Sequence, residues 1–173
     1  MKKIFAIVTV IALAAAAFAQ KAGDKVSFSS VDMAGNAVTS DIFAKNKLTM
    51  VNIWGTFCPP CIREMPDLAK LNSANKSKGV EVVGIPIDIV DEEGNVDSYT
   101  KADGDAIIKQ TGADYTHVVP TKDMLDGVLR NIQAVPATIF VDKNGKIVGQ
   151  MYLGARSQKD WQKIIDSLLS KQK

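Results

Sequence analysis

Apolar runs that switch between strand-like and helical spacing divide the chain into elements. Lys47–Trp54 (KLTMVNIW) is mostly apolar with little alternation, as in a parallel strand covered on both faces. Val80–Ile89 has the same character, although Pro86 removes a ladder donor and points to an edge position or a bulge. Between the two, Ile62, Met65, Leu68, Ala69 and Leu71 recur at helical spacing. They predict a helix to about Lys78, kinked at Pro66 and closed by Gly79. Upstream, Lys25–Asp32 predicts a strand, Met33–Asn36 a turn and Ala37–Thr39 a return strand. Downstream, Asp91–Gly104 is acidic and ambiguous, with a short helix expected over about Asp103–Gln110 and a strand over Tyr115–Val119. Thr121–Gln133 predicts an amphipathic helix with Met124, Leu125, Val128, Leu129 and Ile132 on one face. A hairpin follows, from Thr138–Asp142 through Lys143–Gly145 to Lys146–Met151. Ser157, with Asp160 three residues on, caps a last helix whose Trp161, Ile164, Ile165, Leu168 and Leu169 face the core. A helix between two buried strands implies a right-handed crossover, and the later hairpin adds antiparallel strands. The class is α/β with a mixed sheet.

Charge and composition change the picture at the N-terminus. Lys2 and Lys3 precede an uncharged run from Ile4 to Ala19 that ends in Ala17-Phe18-Ala19, a small-x-small pattern. We read Met1–Ala19 as a signal peptide cleaved before Gln20, leaving 20–173 as a single domain. Read as an uncleaved anchor, the run would span about 24 Å at helical rise, against the ~30 Å of a bilayer core. The formal charge of +2 then belongs to the leader, because the remainder holds 19 basic and 19 acidic residues. A neutral body without basic blocks gives no reason to expect nucleic acid as a partner. The expected location is extracytoplasmic, periplasmic or secreted, where a cysteine pair can stay oxidised.

Two cysteines and one histidine cannot build a disulfide scaffold or supply four zinc ligands. Cys58 and Cys61 lie at a strand-to-helix junction, with Pro60 suited to the first helical position. A helix N-terminus offers free N–H groups and partial positive charge, which favour a thiolate on Cys58. Cys61, one turn along, is placed to resolve a mixed disulfide. The competing reading is an inert cross-link. So short a loop gives little entropic stabilisation, which favours the redox reading.

The segment Trp54-Gly-Thr-Phe-Cys58-Pro-Pro-Cys61-Ile-Arg-Glu64-Met-Pro66 resembles the active-site segment of the thioredoxin superfamily, and within it the extracytoplasmic TlpA/ResA-type thiol-disulfide oxidoreductases. The likeness continues through Val135-Pro136-Ala137-Thr138 and Val141–Lys146. It implies a thioredoxin fold: a mixed central sheet flanked by helices, an N-terminal hairpin, and a strand–helix insert over about 91–133 before a cis-proline. By that resemblance Pro136 follows a cis bond and faces the cysteines, and the Val135 backbone receives a substrate strand. Trp54, Phe57, Pro59 and Pro60 would add an apolar docking surface, although Trp54 also suits the core. Cytosolic thioredoxins carry a buried Asp at the position of Asn52, which cannot titrate, and ResA-type proteins carry a Glu at the position of Glu64. Glu64 is therefore expected to tune the thiols; spacing alone would leave it a solvated surface carboxylate.

No cation lies between the cysteines and Pro59 lacks an N–H, so a reductant is expected, at about −200 to −270 mV. The resemblance implies exported disulfide-bearing substrates, apocytochrome c among them, a membrane thiol reductant as donor, and a role in cytochrome c maturation. No cofactor beyond the Cys58–Cys61 disulfide and no oligomer are expected. A copper metallochaperone using both cysteines and His117 is the alternative. A peroxidase would need Thr three residues before the reactive Cys, where Gly55 stands.

Overall fold

The computed structural model describes residues 22–171. The expected leader and the cut before Gln20 lie outside them. Four strands form the central sheet: β3 (Leu48–Trp54), β4 (Val80–Pro86), β5 (Ala137–Asp142) and β6 (Ile147–Leu153) in the order β4-β3-β5-β6. β3 pairs parallel with β4 and antiparallel with β5, which pairs antiparallel with β6. Helix α1 (Pro59–Asn75) makes the crossover from β3 to β4 and runs unbroken through Pro66. Pro66 cannot donate to the Ile62 carbonyl one turn back. Gly79, at φ 77°, closes the helical segment in the left-handed conformation glycine tolerates. Pro86 is the last residue of β4, at the edge of the four-stranded ladder, where its missing N–H costs little.

The short hairpin of β1 (Ser29–Val31) and β2 (Ala37–Thr39) joins this sheet through the insert. Residues 116–119 are an intervening strand-like segment. The Gly84 amide donates to Thr116 O and the Val118 amide to Gly84 O, while Met33 donates to His117 O and Val119 to Val31 O. The strand expected over Lys25–Asp32 is divided by this arrangement. Lys25 bridges to Lys146 at one end of the sheet and Asp32 to Val118 at the other, leaving three residues of regular strand.

The two other departures lie in the insert. Helix α2 (Ser98–Thr111) starts five residues before the expected Asp103, because the Asp97 side chain caps the Thr100 amide at 2.7 Å. Gly104, which looks like a breaker, is buried, and a Cβ there would lie 3.1 Å from Met33 Cε. The helix expected over Thr121–Gln133 is the short α3 (Lys122–Asp126). It stops at Gly127, where the backbone leaves helical angles and a Cβ would approach the Asp123 carbonyl to 2.8 Å. The short helix and the irregular turns after it nevertheless bury Met124 and Leu129 in the core and pack Leu125, Val128 and Ile132 against it. Helix α4 (Gln158–Ser170) is capped by Ser157 and buries Trp161, Ile165 and Leu168.

Three tight turns share one design. In Asp32–Asn36, Asp91–Asn95 and Asp142–Lys146, the leading Asp Oδ1 accepts the amides two and four residues on at 2.8–3.0 Å. A glycine at positive φ takes the fourth place in each. Asp142→Ala should destabilise the β5–β6 hairpin by about 1 kcal/mol, read by urea unfolding; an unchanged midpoint would refute this.

Strand alternation sorts the core to two faces. Leu48, Met50 and Trp54 join the cysteines, Met65, Phe140 and Trp161 on the face covered by α1 and α4. Val51, Ile53, Val83 and Ile139 pack on the other face with Phe28, Phe43, Val118 and Met124.

Candidate active site

β3 delivers its C-terminal end to the start of α1, and the cysteine pair occupies that junction as a disulfide, with Cα atoms 5.3 Å apart. Cys58 is the N-cap residue, so Pro59 and Pro60 take the first two helical positions. The first place, expected for Pro60, therefore belongs to Pro59. Neither proline has an N–H, so the free amides that usually crown a helix are reduced to that of Cys61, 3.3 Å from Cys58 Sγ. Both cysteines are largely covered, but Cys58 is the more accessible, at 5% against 1%. That difference fits Cys58 as the attacking sulfur and Cys61 as the resolving one.

The Val135–Pro136 peptide bond is cis, and Cys58 Sγ lies 3.6 Å from Val135 O. Pro136 is buried and Val135 half-buried. Phe57, Pro59 and Pro60 are exposed around the pair. The Phe57 ring folds back over Gly55, where a Cβ would meet it at 2.6 Å. Asp88, just beyond β4, fixes this loop by accepting the Thr56 amide at 3.0 Å and its hydroxyl. Arg63 is exposed, as its spacing predicts. Trp54 does not line a docking surface. It is fully buried because its indole N–H donates to His117 Nδ1 at 3.2 Å, which turns the ring inward.

Glu64 is buried beside Cys61 on the same helical face, contrary to what spacing alone suggests. Burial pushes its carboxyl up to about 7, against opposing contributions from the Trp161 indole N–H, the Arg156 backbone N–H and the Arg156 charge. Trp161 Nε1 donates to Oε1, while Oε2 is buried without a hydrogen-bond partner among the described residues. That oxygen is free to take a proton. Asn52 is buried too, and its side-chain amide donates to the Thr138 hydroxyl at 3.2 Å.

His117 is committed elsewhere. With Nδ1 accepting from Trp54, Nε2 carries the hydrogen and donates to Ala113 O at 2.9 Å, and the ring stacks on Tyr115. Burial holds it well below the usual histidine range, at about 4. Neither nitrogen is spare for copper. Among the described residues no three His, Cys, Asp or Glu side chains gather into a metal-binding group.

Three partners escaped the sequence reading: Trp161, Arg156 and Asp88. Trp161 stands 97 residues from Glu64 and Asp88 32 from Thr56, so no local spacing links either pair.

The Redoxin family model matches residues 19–165. The thiol-disulfide oxidoreductase ResA of Geobacillus kaustophilus is 27% identical over 124 residues, covering 72% of this chain and 64% of that protein. The ResA of Halalkalibacterium halodurans is 28% identical over 130 residues, covering 74% and 66%. The chain thus spans just under two thirds of the length of these curated relatives. Among solved structures, a thioredoxin family thiol:disulfide interchange protein from Chlorobium tepidum superposes with a TM-score of 0.69 at 25% identity, over 86% of this chain and 97% of that one. The thioredoxin domain of a Bacteroides vulgatus thiol-disulfide oxidoreductase gives 0.65 at 26%, over 86% and 98%. With the cysteine pair on its helix N-terminus and the cis-proline facing it, the chain belongs to the Redoxin family and has the thioredoxin fold, and it is similar to the TlpA/ResA-type thiol-disulfide oxidoreductases.

Proposed function

We propose that this protein is an extracytoplasmic thiol-disulfide oxidoreductase that reduces protein disulfides. The Cys58–Cys61 pair at the mouth of α1, 3.6 Å from the Val135 carbonyl, carries the reading. In the reduced enzyme the Cys58 thiolate attacks one sulfur of a substrate disulfide, and the other sulfur leaves as a thiolate and takes a proton. Cys61 then attacks the Cys58 sulfur, passes its proton to Glu64, and expels the second substrate thiolate. Two electrons move to the substrate and the Cys58–Cys61 disulfide forms. An external dithiol, which we take to be a membrane thiol reductant, reduces it again. Phe57, Pro59, Pro60 and the Val135 backbone form the docking surface for an extended substrate segment. The substrates are exported proteins with paired cysteines, and family likeness adds apocytochrome c and cytochrome c maturation.

Direction follows from the two prolines. Cys58 sulfur has one backbone donor where a helix start normally offers several, so its thiolate is less stabilised and the pair is more reducing. The expected potential is about −200 to −270 mV. A value well above that range would make the protein an oxidant. Cys61→Ala should trap Cys58 in stable mixed disulfides with exported proteins. An unreactive Cys58 in that variant would return the pair to a structural role.

A further inference from the structure

We infer that Arg156 is a positioning residue for disulfide exchange, holding a positive charge beside the Glu64–Trp161 pair from a loop that also grips the cis-proline turn. The inference rests on the proposed role of Glu64. The loop leaves β6 at Gly154, whose amide donates to Pro136 O at 2.8 Å. Two residues on, Arg156 folds back: Nη1 donates to Leu153 O at 3.1 Å and Gly154 O at 2.8 Å. These bonds place the guanidinium between two aromatic faces, 5.3 Å from the Tyr152 ring centre and 5.0 Å from that of Trp161. Both are cation–π distances. The same Trp161 ring presents its N–H to Glu64 Oε1, and the Arg156 charge favours the ionised form of that carboxyl. Eight residues, Gly154 to Trp161, thus connect the substrate-docking turn to the proton acceptor.

The two orphan carbonyls at the end of β6 explain why the side chain is arginine. The guanidinium satisfies both from Nη1 while its delocalised charge sits over both rings; a lysine ammonium, compact and strongly hydrated, suits the aromatic contact less well. Held there, the charge favours ionised Glu64 against the burial that opposes it. The other groups facing Glu64 act differently. Asp67, on the same helix, disfavours ionisation, and Tyr115 of the insert is a buried neutral phenol. Cys61 lies one turn back on α1. From α2, the Thr111 hydroxyl meets α1, 3.8 Å from Met65 Sδ.

The test is the pH profile of iodoacetamide alkylation of the reduced, full-length protein. Arg156→Gln should move the Glu64-dependent midpoint upward by about half a unit or more, since the ionised carboxylate loses its cation. Arg156→Lys should recover part of that shift. In a Glu64→Gln background, Arg156→Gln should leave the profile unchanged. Where the Gln variant is too unstable to read, Arg156→Met keeps an apolar stem on the two rings and should show the same shift. Wild-type profiles for Arg156→Gln and Arg156→Met, with an altered one for Glu64→Gln, would overturn the inference and leave the Glu64 role intact. A shift that persists in the Glu64→Gln background would also overturn it, because Arg156 would then act on the thiols directly. A wild-type profile for Glu64→Gln would remove the role of Glu64 itself.

Discussion

Between pH 4.5 and 6.5 the oxidised protein should change little in stability, while Glu64→Gln and His117→Gln variants should show steep slopes of opposite sign. Glu64 titrates at about 7 in the fold against an ordinary value of 4.5. Its contribution is fully present below pH 4.5 and is lost as pH rises to 7, because the unfolded carboxyl ionises first. His117 titrates at about 4 in the fold against 6.5. Its contribution is fully present above pH 6.5 and is lost as pH falls to 4, because the unfolded imidazole gains a proton first. Each amounts to about 3 kcal/mol across its window. Where the windows overlap, the two slopes cancel. Glu64→Gln leaves the histidine alone, so stability should rise with pH by about 3 kcal/mol. His117→Gln leaves the carboxyl alone, so stability should fall by a similar amount. The lowered carboxylates, exposed at Asp91, Asp97 and Asp160 and half-buried at Asp32, act mainly below this range. Urea unfolding at pH 4.5, 5.5, 6.5 and 7.5 reads all three proteins, and parallel curves would sink the idea.

Gly84→Ala should cost about 3 kcal/mol or more, large for a single methyl group. A Cβ on Gly84 would overlap His117 Nδ1 and lie 2.6 Å from Cε1. The imidazole cannot step aside cheaply, since Trp54, Ala113 and Tyr115 hold it on three sides. Nor can β4, which pairs along its length with β3 and accepts the Val118 amide at Gly84 itself. Displacing the ring leaves the buried Trp54 N–H without an acceptor, directly beneath the active-site turn. The damage should be non-additive. In a His117→Ala background, which has already lost those bonds, Gly84→Ala should cost under about 1 kcal/mol. Equal costs in both backgrounds would show that the strand, not the ring, resists the methyl.

The elements that were legible in the sequence are those specified locally. The cysteine pair, the Ser157 cap and the turns at Met33–Asn36 and Lys143–Gly145 each depend on residues within four positions of one another, whereas the matching turn at Asp91–Asn95 falls in a stretch that the sequence leaves ambiguous. Short-range periodicity also identifies the apolar faces, even in the insert, where the expected helix over Thr121–Gln133 is only the short α3. Gly127 ends α3 because the chain turns back on Asp123, yet Met124 and Leu129 still reach the core. What spacing could not show was set by contact across the fold. Glu64 looks like a surface residue until α4 covers it with Trp161, and Trp54 looks available until the insert supplies His117. The family resemblance, not the periodicity, pointed to Glu64 and to the cis bond at Pro136.

The strand-like segment at 116–119 also fixes an order of assembly. A chain made from its N-terminus presents the β1–β2 hairpin early, but that hairpin reaches the central sheet through the insert. The bonds that seat it, Met33 to His117 O and the Ser30 hydroxyl to Val119 O, span more than eighty residues. Until residue 119 has emerged, β4 keeps an open edge and the hairpin lacks the bonds that seat it. Seating the first strands is therefore a late event in folding, and residues 116–119 act as a keystone set after the arch has risen on both sides.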